Sequence, residues 1–187
     1  MDWRAVLRED LARLAPGEHM SKVTLTLFRL SQGLADPGFG PLRHLLGPLV
    51  FLAKFVWVEL LMGATLQRQT QIGPGLRLPH GGRGVMIHPY ARIGRNATIF
   101  EWVSVGAIEE LDDRGNASYE FLQLPVIGDD VYIGYRAAIF GPVHVGDRSR
   151  IGIGAVVLKD VPPGSTVMPT PSRVITRPDA TAERDAG

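Results

Sequence analysis

Residues 126–161 read VIGDDVYIGYRAAIFGPVHVGDRSRIGIGAVVLKDV, and one spacing in this stretch decides the fold. Aliphatic residues return at every sixth position: Ile127, Ile133, Ile139, Val145, Ile151 and Val157. The same beat runs upstream through Ile87, Ile93, Ile99 and Val105. Neither an α-helix nor a simple alternating strand produces a pure period of six. A hexapeptide repeat does, with each unit a short strand and a turn on one side of a three-sided prism. Three units close a coil of about eighteen residues. Ile127 then stacks on Val145, Ile133 on Ile151 and Ile139 on Val157, at roughly 4.8 Å per coil.

Small or β-branched residues sit four places after each aliphatic, at Ala91, Ala97, Val103, Val131, Ala137, Val143, Ser149, Ala155 and Val161. They fit beside the corners of a narrow prism, and glycine often follows the aliphatic where the backbone must turn. Composition agrees. Twenty-two glycines and fourteen prolines in 187 residues indicate many turns, while 45% hydrophobic content supplies a core. The reading is a mainly β fold: a parallel β-helix of hexapeptide repeats over residues 69–168. An N-terminal α-helical segment (residues 1–68) precedes it, and a polar, partly disordered tail (169–187) follows.

The helical segment shows two short amphipathic stretches, near 2–15 and 21–33, then an apolar run from Leu45 to Leu66. Pro48 is expected in the first turns of that third helix, where proline is tolerated. The run is long enough to span a bilayer, but Lys54 and Glu59 interrupt its middle. One charge at the centre of a spanning helix costs roughly 2.5–3.5 kcal/mol. Burial in a subunit interface is therefore favoured over membrane contact. With a formal net charge of +1 and scattered Lys and Arg, nothing resembles a nucleic-acid footprint. The absence of cysteine excludes disulfides and thiolate chemistry, and fits a cytoplasmic protein.

One stretch breaks the beat. RLPHGGRGVMIHP, Arg77 to Pro89, packs three glycines, two prolines and two histidines into a detour between Leu78 and Ile87. A histidine lifted out of a packed repeat has no obvious packing role, so His80 is either a plain loop residue or a side chain presented to a substrate. His88 follows an inward aliphatic and reads as a corner residue, with binding of an acceptor carboxylate as the alternative. His144 precedes an inward valine and points outward. Glu109, Glu110, Asp112 and Asp113 form an acidic run, either a solvated face or a grip on an acceptor's amino group.

Together, IGPGLRLPHGGRGVMIHPYARIGRNATI, VIGDDVYIG, IGIGAVVLKDVPPGSTV and PSRV resemble the serine acetyltransferases and their relatives in capsule and natural-product pathways. The resemblance implies a left-handed coil, a homotrimer or dimer of trimers, and acetyl-CoA or another acyl-CoA as co-substrate, with no metal. It also implies that His80 is the general base for a small-molecule hydroxyl acceptor such as serine. A hydroxyl is a poor nucleophile at neutral pH and needs such a base. Acceptor-binding candidates are His88, Glu101, Glu109 and Glu110. By resemblance the acyl-CoA contacts are Gly106, Ala107, Tyr135, Arg136, Ile153, Gly154, Lys159 and Arg173, with the pantetheine arm in a groove between subunits.

Several positions depart from the family's pattern. Thr65 stands where a carboxylate orients the base, fifteen residues before His80, and Pro79 where an aspartate precedes it. Leu124 replaces a serine-binding histidine. Glu101-Trp102 replaces glutamine-glycine, and Tyr135 and Ile153 put bulk in the CoA groove. One of Glu101, Glu109 or Glu110 is then expected to supply the missing carboxylate in space. A sugar or polysaccharide hydroxyl is an alternative acceptor, and a binding or scaffold protein descended from the enzyme is a third reading.

Overall fold

The structure is a computed structural model. It describes residues 2–35, 39–108, 110–111, 117–118 and 124–171, of which 110–111 and 117–118 are described as backbone. From Gln71 onward the chain visits three parallel sheets in rotation. The first face stacks Gln71–Ile72, Arg92–Ile93, Val126–Ile127 and His144–Val145. The second stacks Thr98–Ile99, Tyr132–Ile133, Arg150–Ile151 and Thr166–Val167. The third stacks Met86–Ile87, Ser104–Gly106, Ala138–Phe140 and Val156–Val157. Val145 pairs with Ile127, Ile151 with Ile133 and Val157 with Ile139, the register that the six-residue period demands. The period-six aliphatics from Ile87 to Val157 are buried, as are the small residues four places on. Ladder pairing starts earlier than the period does, with Thr65 bridging Met86.

The glycine after each aliphatic has a specific cause at two positions. A Cβ on Gly94 would lie 2.2 Å from the Asp129 carboxylate of the next coil, and one on Gly128 would meet Asp147 at the same distance. Those aspartates accept the backbone N–H of Arg95 (2.7 Å) and of Asp129 (2.8 Å). Each coil's aspartate thus caps the turn of the coil before it, and only glycine leaves room.

Two helices, α1 (Trp3–Ala12) and α2 (His19–Gly33), cover the open end of the first coil, and α3 (Leu42–Lys54) packs against α2. Leu25 and Phe28 of α2 join Leu66, Leu76 and Leu78 in the core. The cap is pinned by a buried pair, Arg29 Nε to Asp10 Oδ2 at 2.7 Å. Arg29 also donates to the carbonyls of Ile72 (2.9 Å) and Gly73 (2.8 Å), and Asp10 accepts Leu76 N–H at 2.8 Å. Burial raises the Asp10 pKa above its ordinary value, although the bonds from Arg29 and the Leu76 N–H oppose this.

The third helix departs from expectation in three ways. Pro48 lies well inside α3 and not in its first turns. The helix also ends sooner than Leu66, continuing from α3 as a π-helical segment, Phe55–Leu61. That wider turn brings residues five apart together, so Lys54 Nζ reaches Glu59 Oε1 at 3.1 Å. The stretch Leu42–Leu61 is long and apolar enough to cross a membrane, with mean hydropathy 1.6. Within this chain, Leu45, Leu49, Phe51, Leu52 and Leu60 are exposed.

Candidate active site

The detour at Pro79–Gly82 is a single tight turn. His80 adopts the left-handed conformation (φ 52°, ψ 29°) and Gly81 follows in the same region (φ 80°, ψ 8°). For a residue with a Cβ this costs roughly 1–2 kcal/mol, so the surroundings must hold it. Helix α2 does so. Ser21 Oγ donates to the Leu78 carbonyl (2.7 Å) and accepts Gly81 N–H (3.3 Å). Thr24 Oγ1 donates to the Gly81 carbonyl at 2.9 Å and accepts the Trp57 indole N–H at 3.0 Å. A Cβ on Gly81 would sit 3.0 Å from both Met20 and Met62, which leaves no space for a larger residue.

The turn projects the His80 side chain outward, 68% exposed, and its Nδ1 hydrogen-bonds Glu101 Oε1. Glu101 is only 15% exposed. A carboxylate only accepts, so Nδ1 carries a proton, and in the neutral ring the lone pair is left on Nε2. That arrangement can accept a proton from a bound hydroxyl. Glu101, expected both among the acceptor-binding groups and among the carboxylates that could stand in for Thr65, is the one bonded to the His80 ring.

Below this pair the corner between the second and third faces continues as a backbone ladder. Trp102 N–H donates to Arg83 O (2.9 Å), Arg136 N–H to Glu101 O (3.0 Å) and Gly154 N–H to Tyr135 O (2.9 Å). Trp102, Arg136 and Gly154 are all left-handed, with φ of 60°, 57° and 70°. The corner therefore aligns His80, Glu101, Tyr135, Arg136, Ile153 and Gly154 in one column. Arg136 stacks over the Tyr135 ring at 5.4 Å, and Ile153 is 65% exposed. The bulk expected at Tyr135 and Ile153 stands on the outside of this column.

The other expected residues lie elsewhere. Gly106, Ala107 and His88 line a groove of about 350 Å³ at the far edge of the third face, together with Thr65, Ser104 and Phe140. His88 Nδ1 accepts Tyr90 N–H at 3.3 Å, so the histidine both turns the corner and faces the groove. Lys159 is exposed beyond Val157, at the same far edge. Within one chain, the expected acyl-CoA residues thus form two groups on opposite edges of the third face and do not converge. Glu109, Asp112, Asp113 and Arg173 lie outside the described residues, and Glu110 is described only as backbone in a short hairpin with Ser118. Among the described residues, no group of three His, Asp or Glu could hold a metal ion.

Sequence reasoning missed Ser21 and Thr24. The available signal was two hydroxyl residues three apart on the stripe of α2 that also carries Leu25 and Phe28, an unfavourable place for unpartnered polar groups.

The chain is 32% identical to the serine acetyltransferase of Helicobacter pylori over 180 residues, covering 92% of this chain and 93% of that protein. It belongs to the serine acetyltransferase family. The family's members are acyltransferases. Serine acetyltransferase from Bacillus subtilis is 35% identical over 131 residues, and the match covers 70% of this chain but 54% of that one. The soybean serine acetyltransferase complexed with serine superposes with a TM-score of 0.68 at 25% identity, over 92% of this chain and 69% of that chain. No protein-family model matches.

Proposed function

We propose that this serine acetyltransferase relative transfers an acyl group, acetyl in the first instance, from acyl-CoA to the hydroxyl of serine or a serine-like small amino acid. The observation that carries the reading is the His80–Glu101 pair, with the free imidazole nitrogen exposed at the head of an open corner. His80 Nε2 takes the hydroxyl proton as the oxygen attacks the thioester carbonyl. Collapse of the tetrahedral intermediate breaks the carbon–sulfur bond, and the imidazolium returns the proton to the departing thiolate. Glu101 holds the proton-bearing Nδ1 and stabilises the imidazolium.

The coil is left-handed in this reading, as the family resemblance implies. A closed threefold assembly then sets the far edge of one third face, with His88, Gly106, Ala107 and Lys159, against the His80 corner of the next protomer. That would bring together the two groups that one chain keeps apart, and cyclic closure is the common rule for such oligomers. Acyl-CoA would run between protomers along Tyr135, Arg136, Ile153 and Gly154.

The test measures thioester consumption with a panel of amino acid and nucleotide-sugar acceptors. Serine or a close analogue is expected to be acetylated, and His80→Ala to lower kcat by roughly 10²–10⁴-fold. Equal rates in the two proteins would end the role of His80. Activity on sugars alone would move the acceptor class. Failure to bind acetyl-CoA in calorimetry would favour the scaffold reading.

A further inference from the structure

We propose that Ser21 and Thr24 of α2 are positioning residues for His80, and that Trp57 extends their hold to the apolar helix; this rests on reading His80 as the base. Both hydroxyls are fully buried, and each donates one hydrogen bond and accepts one. Ser21 closes one end of the turn, bonding Leu78 O and Gly81 N, while Thr24 holds the other end through Gly81 O. His80 lies between these two anchored residues, in a conformation that L-residues seldom adopt. Its own side chain has one hydrogen bond among the described residues, to Glu101.

The turn is therefore defined from behind by α2, and the ring is aimed from in front by Glu101. Neither alone fixes Nε2. Rotating the His80–Gly81 peptide would free the Gly81 N–H from Ser21 and shift His80 against Glu101, while Thr24 fixes the next peptide through the Gly81 carbonyl. Trp57 adds a third link. Its indole N–H ends on Thr24, so the hydrogen-bonded path runs Trp57, Thr24, Gly81 O and then the His80 turn. Trp57 lies in the π-helical segment whose neighbours Val56, Leu60 and Leu61 are exposed. A change in packing on that apolar segment thus has a hydrogen-bonded route to the His80 turn through the Trp57 side chain.

Thr24→Val keeps shape and removes both hydrogen bonds. It is expected to lower kcat by about tenfold or more while leaving the KM for acetyl-CoA within about twofold, because orientation and not binding is disturbed. Thr24→Ser is expected to recover most of the rate, and Trp57→Phe to lose about threefold. The readout independent of activity is the His80 imidazole tautomer, followed by nitrogen NMR on the assembled protein. The parent should show a single tautomer protonated at Nδ1, and Thr24→Val a mixture. Unchanged tautomer and rate in Thr24→Val would overturn the proposal. A changed tautomer in a protein whose His80→Gln variant is fully active would keep the positioning role and remove the base reading. Should Thr24→Val fail to fold, Ser21→Ala and Trp57→Phe carry the same pair of measurements, and a parent-like tautomer in both would overturn it.

Discussion

Two corners of the prism share a backbone and differ in what their side chains do. At the corner between the first and second faces, Asn96, Asp130 and Arg148 are left-handed, with φ between 55° and 57°. Their neighbours turn back onto the chain: Asp129 caps Arg95 N, Asp147 caps Asp129 N, and Asn96 Nδ2 donates to Asp130 Oδ1 at 3.0 Å. At the His80 corner, Trp102 and Arg136 repeat the left-handed geometry. There, among the described residues, the ladder is completed by backbone bonds, with Arg136 and Ile153 exposed and Tyr135 half-buried. A corner whose side chains satisfy its own backbone is structural. One whose backbone closes without them leaves those side chains for a ligand.

The largest expected break in this comparison is Glu101→Ala. Removing the partner of His80 should lower kcat roughly a hundredfold. The melting temperature should move by less than about 2 °C, because among the described residues the carboxylate anchors no backbone group. Steady-state kinetics and thermal unfolding on one preparation check both halves. A rate within twofold of the parent would show that the pair is not catalytic. Asp129→Ala is the mirror experiment. It should cost about 1–2 kcal/mol in urea unfolding by orphaning the Arg95 N–H, with kcat and KM unchanged. A loss of activity without loss of stability would erase the distinction between the corners.

A matched pair sharpens it further. Gly154 at the His80 corner and Gly164 both have φ of +70°, and a Cβ at either would meet nothing within 4 Å. Alanine at each should therefore cost the same backbone strain, about 1 kcal/mol. Only Gly154→Ala is expected to raise the KM for acyl-CoA, by a few-fold, since its methyl would enter the proposed groove. Equal KM values in the two variants would move the acyl-CoA path off this corner.

The inward residues were legible because a three-sided prism offers one place for an aliphatic every sixth residue. Ile133 and Ile151 could be paired before any coordinates existed. The partner of His80 was half legible. Arg77 pairs with Thr98, twenty-one residues on, where an uninterrupted coil would give eighteen, so the detour adds three. Applying that offset to His80 lands on Glu101. Ser21 and Thr24 were not legible, because the docking of α2 on the coil is set by shape and by buried polar groups, neither of which has a period. The division of Gly106 and Ala107 from Tyr135 and Gly154 was hidden for a different reason. Adjacency in a family pattern does not say which corner, or which protomer, a residue serves.

The smallest expected effect concerns Glu18, which ties the start of α2 to the coil just before the His80 turn. Its carboxylate accepts Ala15 N–H at 2.8 Å and pairs with Arg77 Nη2 at 2.9 Å. Partial burial alone would push its pKa up. The Ala15 N–H and Arg77 outweigh that and hold it below the ordinary glutamate value of 4.5. A carboxyl whose pKa is lower folded than unfolded stabilises the folded state above its unfolded pKa, and that contribution is lost as pH falls through the folded value. Stability should therefore decline on acidification below about pH 4.5, and Glu18→Gln should flatten that decline slightly. Arg77→Met should flatten it as well, whereas Asp129→Ala should leave the Glu18 contribution in place. Urea unfolding from pH 6 to 3 on the parent and these variants measures it. An identical slope in the parent and Glu18→Gln would remove Glu18 from the acid response and leave the α2–coil junction to Arg29 and Asp10.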